Sequence, residues 1–260
     1  MLRSVAVIVV PNFSVFEFAT ACEVFGIDRS GRGSNVPAFD FRVCTPEPGN
    51  VRMKSGLSLN VSLGLEATAD ADLVIMTPFG RDDDVPEPVL EALRAAHARG
   101  AWVMSICSGA FALARAGLLN GRRCTTHWHY SHELANRYPE VQVDENVLYV
   151  QDGNLITSAG TAAGIDACLH LVRVELGANV AAAIARDMVV PPHRDGGQAQ
   201  FIDRPVPACG SAPMEELLRW MVQNLDQEHT VVELASRIHM SARTFARRFR
   251  SETGPHPLPG

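Results

Sequence analysis

Hydrophobic and polar residues follow two different rhythms along this chain. From residue 3 to about residue 188, short β-branched runs alternate with amphipathic stretches, a pattern typical of strands that alternate with helices. The predicted strands are 6–10, 39–44, 73–76, 102–106, 141–144, 148–151 and 155–158. The predicted helices are 15–25, 86–99 and 161–176. This order indicates βαβ units and therefore a parallel sheet with helices on both faces.

After residue 188 the composition changes. Residues 190–213 hold five prolines and three glycines, a density that no regular element accommodates. Beyond them the apolar spacing becomes purely helical, with helices predicted over 214–225, 230–238 and 241–254. Thr230 and Glu233 have the spacing of a capping box. The sequence thus predicts an α/β domain over 1–188, a linker over 189–213 and a small all-α module over 214–260.

The last predicted helix has two opposite faces when its residues are placed at 100° intervals. One face holds Ala242, Phe245, Ala246 and Phe249, and the other holds Arg243, Arg247 and Arg250. An arginine face on a helix that follows a tight turn is typical of a helix-turn-helix in a DNA groove. The alternative is an ordinary helix with a solvated face. The predicted DNA-contacting residues are Ser241, Arg243, Thr244, Arg247, Arg248 and Arg250.

The overall charge is acidic, so a nucleic-acid contact would depend on a local basic surface. The 260 residues carry 23 basic and 29 acidic side chains, a formal net charge of −6. No apolar run approaches the ~18 residues of a membrane span, and the first residues lack a secretory cleavage pattern. The six cysteines are scattered without a Cys-x-x-Cys pair, which indicates reduced thiols in the cytoplasm. We predict no metal, no cofactor and no membrane partner.

One cysteine stands in a setting that favours chemistry. Cys107 follows the predicted strand 102–106, has the small neighbours Ser108 and Gly109, and precedes a helix. This strand–turn–helix order is that of the nucleophile elbow of hydrolases. The partial positive charge of a helix amino terminus favours a thiolate there. The alternative is a buried, inert thiol, which is the interpretation for Cys22, Cys44, Cys124, Cys168 and Cys209.

Two groups of motifs resemble known families. The segment 240–249, with Leu234-Ala235-Ser236-Arg237 before it and Glu252-Thr253-Gly254 and Pro257 after it, resembles the first helix-turn-helix of AraC/XylS-family transcriptional regulators. Cys107-Ser108-Gly109-Ala110, followed by Thr125-Thr126-His127, is similar to the class I glutamine amidotransferase-like superfamily of PfpI and ThiJ type. That resemblance implies a flavodoxin-like parallel sheet sandwiched by helices.

The amidotransferase-like resemblance also implies roles for single residues. Glu17 matches an acidic residue that lies beside the cysteine, and His127 matches a histidine near the same pocket, although it has the alternative of a packed core histidine. Ser108 stands where the proteolytic branch has a histidine, which argues against a protease of that type. The catalytic candidates are Cys107, Glu17 and His127, and the ligand-binding candidates are Glu17, Cys107, Ser108 and His127.

Segments 157–166 and 190–200 resemble AraC-type regulators in which an amidotransferase-like domain precedes the DNA-binding part. The resemblance implies a non-enzymatic homodimer that senses a small molecule, amino-acid-like or a quaternary amine, and binds double-stranded promoter DNA. Family members carry two tandem helix-turn-helix motifs, and this sequence shows the first only, so we expect a truncated module. Two alternatives remain open: a hydratase or lyase that uses Cys107 and Glu17, and a dimerising remnant that does not bind DNA.

Overall fold

The chain divides into two units, Met1–Ile202 and Asp203–Gly260. The structure, a computed structural model, describes residues 1–31, 35–80, 85–194, 196–198, 212–224 and 229–253. Among these residues, no helix combines the length and the apolar composition that crossing a bilayer requires.

A mostly parallel six-stranded sheet forms the centre of the first unit. In chain order the strands are β1 (Ser4–Ile8), β2 (Asp40–Cys44), β3 (Gly49–Arg52), β4 (Ser58–Val61), β5 (Leu73–Met76), β6 (Trp102–Ile106), β7 (Arg123–Cys124), β8 (Gln142–Val143), β9 (Tyr149–Asp152) and β10 (Leu155–Ser158). The large sheet has the order β2-β1-β5-β6-β10-β9, and its only antiparallel pair within the described residues is β9 with β10. Strands β3 and β4 form a separate antiparallel hairpin, and β7 pairs with β8. The predicted α/β sheet is confirmed.

Helices cover both faces of this sheet. The helices of the first unit are α1 (Val15–Ala21), α2 (Glu87–Ala98), α3 (Ala110–Arg115), α4 (Trp128–Arg137), α5 (Ala162–Leu176) and α6 (Ala178–Asp187). One core holds apolar residues of α2, α3 and α4, and the other holds those of α1, α5 and α6. Along β1, Ala6 and Ile8 join the first core while Val5 and Val7 join the second. Because both faces of β1 are buried, its sequence is a continuous apolar run.

Several elements of the first unit differ from the sequence prediction. The predicted helix 15–25 is α1 followed by one π-helical turn, Cys22–Gly26. Helices α4 and α6 and the hairpin β3–β4 were not predicted. Helix α4 is polar overall and buries only Ser131 and Leu134, so few apolar residues mark it in the sequence. Gly177 ends α5 as predicted, but its φ of +92° lets the chain turn directly into α6.

The second unit has its own small core. Its described helices are α7 (Ala212–Gln223), α8 (Val231–Arg237) and α9 (Ala242–Thr253). The buried residues of its core are Met214, Leu217, Leu218, Leu234, Ala235 and Phe245. The predicted capping box is confirmed, since Thr230 Oγ1 accepts from Glu233 N at 3.2 Å and Glu233 Oε2 accepts from Thr230 N at 2.8 Å. The predicted helix ends Leu225 and Gly254, Pro257, Cys209 and residues 199–211 of the predicted linker lie outside the described residues.

Candidate functional site

Cys107 lies at the sharp turn between β6 and α3. Its φ of +53° places a non-glycine residue in the left-handed region, where backbone strain is concentrated at functional sites. Two glycines make room for this turn: a Cβ at Gly109 would stand 2.5 Å from the Met76 carbonyl oxygen, and one at Gly160 would stand 2.4 Å from the Cys107 Cβ. Thr126 Oγ1 donates to the Cys107 carbonyl oxygen at 2.8 Å. The strand–turn–helix order predicted for Cys107 is present.

Glu17 approaches the same turn from α1. Its side chain is buried, and its carboxylate accepts hydrogen bonds from Ser14 Oγ and, at 3.3 Å, from the Thr161 backbone N–H. Thr161 directly follows Gly160, which packs against Cys107. The structure therefore brings Glu17 and Cys107 together around the short segment of Gly160 and Thr161.

The protonation state of Cys107 follows from this burial. Burial raises the pKa of the Cys107 thiol, and the nearby Glu17 carboxylate raises it further, to about 12. The backbone hydrogen bond from Ser108 and the positive charge of Lys54 lower the pKa by less. The helix terminus was expected to favour a thiolate, but burial and the Glu17 carboxylate oppose it. Their effect is larger because α3 is a short helix while Cys107 is almost completely buried. Cys107 is a neutral thiol at neutral pH.

Ser108 and His127 occupy different surroundings. The buried Ser108 Oγ donates to the Phe79 carbonyl oxygen at 3.2 Å and accepts from the Phe79 N–H at 3.3 Å. His127 is half-buried at the start of α4, where its Nδ1 accepts from the His129 N–H at 3.2 Å. Burial lowers the pKa of His127, the nearby His129 lowers it further, and the Glu17 carboxylate opposes both. Because Nδ1 accepts the hydrogen bond from His129, the neutral form of His127 carries its proton on Nε2.

A cavity of about 280 Å³ opens beside the elbow. Its walls are His127, Trp128, Leu148, Ala159, Gly160, Thr161, Ala162, Ala163, Arg194 and Gln198. Gly160 belongs both to this cavity and to the packing around Cys107. Of the four predicted ligand-binding residues, His127 lines the cavity, while Glu17, Cys107 and Ser108 lie outside its lining. A larger cleft of about 520 Å³ beside α4 and β8 touches none of the predicted site residues.

Nine of the ten cavity residues were not among the predicted site residues, and two of these nine come from an unexpected part of the chain. Arg194 and Gln198 come from the segment that the sequence assigns to the linker, yet both lie against the first unit. Arg194 Nε lies 3.3 Å and 3.2 Å from the two carboxylate oxygens of Asp166 on α5. Segments 157–166 and 190–200, singled out only by resemblance, therefore meet at this ion pair. The proline and glycine content of residues 190–213 does not predict the contact between Arg194 and Asp166.

The surface of α9 is the second candidate site. Arg243, Arg247 and Arg248 are exposed, and Thr244 is half-buried. On the other side of the helix, Phe245 is buried in the core of the second unit. Arg250 belongs to the same helix, and its side chain lies outside the described part of the structure. The predicted opposition of arginines and phenylalanines is present for the side chains that are described.

The turn before α9 has the expected form. Ser241 Oγ accepts from the Thr244 N–H at 3.3 Å and so caps the helix, as predicted. Ala235 is buried where α8 and α9 meet. Ala246 belongs to the predicted apolar face but is exposed, because it lies at one edge of that face while the buried Phe245 lies at the other. Arg237 stacks on the ring of Trp220 at 3.5 Å, a cation–π contact.

Comparison with known proteins identifies a family and several similar proteins. Residues 3–174 match the DJ-1/PfpI family. The HTH-type transcriptional regulator CdhR of Pseudomonas aeruginosa is 28% identical over 247 residues, covering 94% of this chain and 72% of that protein. Isonitrile hydratase of Pseudomonas putida is 38% identical over 106 residues, covering 41% of this chain and 45% of that protein. The crystal structure of an AraC family transcriptional regulator from Pseudomonas putida has a TM-score of 0.62 at 23% identity, covering 72% of this chain and 99% of that one, which supports the fold.

Proposed function

The chain belongs to the DJ-1/PfpI family, and we propose that it is a DNA-binding transcriptional regulator. The observation that carries this proposal is the extent of the similarity to the regulator CdhR, which covers 94% of the chain. The similarity to isonitrile hydratase covers 41%. A small helical unit with exposed arginines has a use in a regulator and none in a hydratase.

The proposed DNA-contacting element is α9. The exposed guanidinium groups of Arg243, Arg247 and Arg248 suit it, because a guanidinium binds guanine or phosphate through two hydrogen bonds. Phe245 anchors the opposite side of the helix in the core, which leaves the arginine side available to a duplex. Ser241, Thr244 and Arg250 complete the proposed contact set.

The proposed effector site is the cavity between the starts of α4 and α5. Its volume of about 280 Å³ is near the lower end of small-molecule sites and fits a molecule of amino-acid size. Trp128 and His127 line it, and the face of the Trp128 indole attracts cations. These features support an effector that is amino-acid-like or a quaternary amine. The effector would act on a homodimer, whose existence remains a prediction.

DNA selection tests the proposal. The full chain is incubated with a pool of random short duplexes, and bound DNA is recovered and sequenced over several rounds. We expect the wild-type chain to enrich one sequence family, and the double variant Arg243→Ala/Arg247→Ala to enrich none. The matched control Arg52→Ala/Arg186→Ala removes two exposed arginines of the first unit and should enrich the wild-type family. Equal enrichment by the wild type and the α9 variant would overturn the proposal.

A second candidate function is a cysteine-dependent hydratase or lyase. The similarity to isonitrile hydratase favours it, as does the buried pairing of Cys107 with Glu17. The raised pKa of Cys107 opposes it, because a nucleophile is active as thiolate. Assaying isonitrile hydration with the wild type and with Cys107→Ala separates the two: turnover that Cys107→Ala abolishes would establish the enzyme.

A further inference from the structure

Near the end of the first unit, a segment without long helices or strands lies against the cavity, which Arg194 and Gln198 line. We call residues 190–194 and 196–198 the strap. The strap contacts the first unit at several separate points: Val190 packs in the core of α5 and α6, Arg173 donates to the Pro192 carbonyl oxygen, Arg194 pairs with Asp166, Gly197 forms an antiparallel bridge with Val147, and the Gln198 N–H donates to the Asn146 carbonyl oxygen at 2.9 Å. These contacts extend along its described length.

Gln198 is the most firmly held residue of the strap. It is 2% exposed, and its Nε2 lies within hydrogen-bond distance of the Val147 carbonyl oxygen at 2.9 Å, the Thr126 carbonyl oxygen at 3.0 Å and Thr125 Oγ1 at 3.1 Å. Its Oε1 accepts from the Trp128 N–H at 2.8 Å. A buried amide with both of its polar atoms paired is costly to withdraw. Gln198 therefore binds the strap to Trp128 in the cavity wall and to Thr126, which also contacts Cys107.

The neighbouring backbone fits equally closely. A Cβ at position 197 would stand 1.8 Å from the Asn146 carbonyl oxygen, so the strap can lie there only because residue 197 is glycine. Arg194, which also lines the cavity, is held by two oxygens of Asp166. The strap thus contributes two of the side chains that close the cavity.

We propose that the strap is the element that couples the cavity to the DNA-binding unit, with Gln198 as its positioning residue. The proposal rests on the proposed function and adds the route of regulation. The cavity is complete only when the strap is docked, so a molecule that contacts both Trp128 and Arg194 binds the docked form alone and stabilises it. In the sequence, residues 199–211 connect Gln198 to α7. When the strap is docked, the connection to α7 starts beside the cavity; when the strap is released, it starts at the end of α6.

The variant Gln198→Glu tests the strap without any ligand. The glutamate keeps one acceptor oxygen, but its second oxygen replaces the amide donor and faces two carbonyl oxygens, which repels the strap. Gln142→Glu is the matched control, since Gln142 is exposed on β8 and receives the same charge. We expect amide hydrogen exchange of the peptide containing residues 190–198 to be at least tenfold faster in Gln198→Glu than in the wild type or in the control.

A thiol introduced into the cavity reports whether strap and cavity respond together. Ala163 is 4% exposed and lines the cavity, so Ala163→Cys is alkylated only when the cavity is accessible. We expect iodoacetamide to modify this cysteine at least tenfold faster in the Gln198→Glu background than in the wild-type background. Peptide mapping follows the reaction. The DNA sequence family selected by the wild type should show at least a threefold change in affinity in Gln198→Glu and none in Gln142→Glu.

A second variant guards against misfolding. Arg194→Gln removes the ion pair with Asp166 from a half-buried position, and it replaces Gln198→Glu if thermal melting shows that the latter is unfolded. The proposed coupling would be overturned if amide hydrogen exchange in the strap did not change. It would also be overturned if that exchange became faster while the alkylation rate or the DNA affinity did not change. If the wild-type chain selects no DNA while exchange and alkylation rise together, the proposed regulator fails and the strap still gates the cavity.

Discussion

Cys107 and Arg247 represent two opposite environments for the candidate functional side chains of this chain. Cys107 is buried in a strained turn, and its position depends on segments distant in sequence, including Gly160 and Thr126. Arg247 is exposed on α9, and its position depends on helical periodicity and on one anchoring face. The first unit hides its reactive groups, and the second presents its charged groups to solvent. This difference agrees with the proposed function, in which the first unit holds a small molecule and the second unit binds DNA.

The largest expected effect is the loss of unfolding free energy when a core phenylalanine is removed, and it tests whether the two units unfold separately. Phe245 is buried in the small core of the second unit, so Phe245→Ala should cost about 3–5 kcal/mol of its unfolding free energy. That is enough to unfold a unit of this size. Phe25→Ala, at a buried position of the first unit, is the matched control. Calorimetry should show that Phe245→Ala abolishes one transition and that Phe25→Ala shifts a different one. One shared transition shifted by both variants would contradict the separation.

A smaller effect is expected at the elbow. Gly160→Ala forces a Cβ onto Cys107 in a residue whose φ is +86°, so we expect the first unit to lose about 2–4 kcal/mol of unfolding free energy. Gly177→Ala is the control, since its φ of +92° is equally unfavourable but its Cβ would meet no atom within 4 Å. Its cost should be about 1–2 kcal/mol. Equal losses in urea unfolding would show that close packing on Cys107 is unimportant.

Sequence reasoning succeeded where local rules decide the structure. The buried strands, the capping box of Thr230 and Glu233, and the arginine side of α9 all follow from periodicity and end signals. The elbow at Cys107 could be predicted from its small neighbours. The cavity could not be predicted, because Arg194 reaches it from a segment rich in proline and glycine. Trp128 belongs to a helix that is polar overall and has few apolar residues to mark it. These contacts depend on tertiary packing, which local propensity does not encode.

The smallest effect concerns the reactivity of Cys107. Its raised pKa, about 12 against an ordinary 9.0, predicts that iodoacetamide modifies it far more slowly at neutral pH than an exposed thiol. Glu17→Gln removes the charge that contributes to this rise, so the pKa should fall and alkylation should become severalfold faster. Peptide mapping after timed alkylation measures both rates. Rapid labelling of the wild type at neutral pH would instead support the cysteine-dependent enzyme.

The same raised pKa sets a pH dependence of stability. The folded state holds the Cys107 proton more tightly than the unfolded state does, so this group's stabilising contribution is complete below about pH 9 and is lost as pH rises toward 12. Cys44, Cys124 and Cys168 behave alike, since burial is the first cause of the rise in each case and raises each pKa to about 12. Urea unfolding followed between pH 8 and pH 10 should show falling stability.

The most direct measurement of the central claim is the salt dependence of DNA binding by the full chain. If α9 contacts the duplex, the logarithm of the association constant falls linearly with the logarithm of salt concentration. The slope should decrease in magnitude by about 2 for each bound copy of α9 in Arg243→Ala/Arg247→Ala. Arg52→Ala/Arg186→Ala should keep the wild-type slope. Equal slopes for the wild type and the α9 variant would contradict the assignment of α9 as the DNA-binding surface.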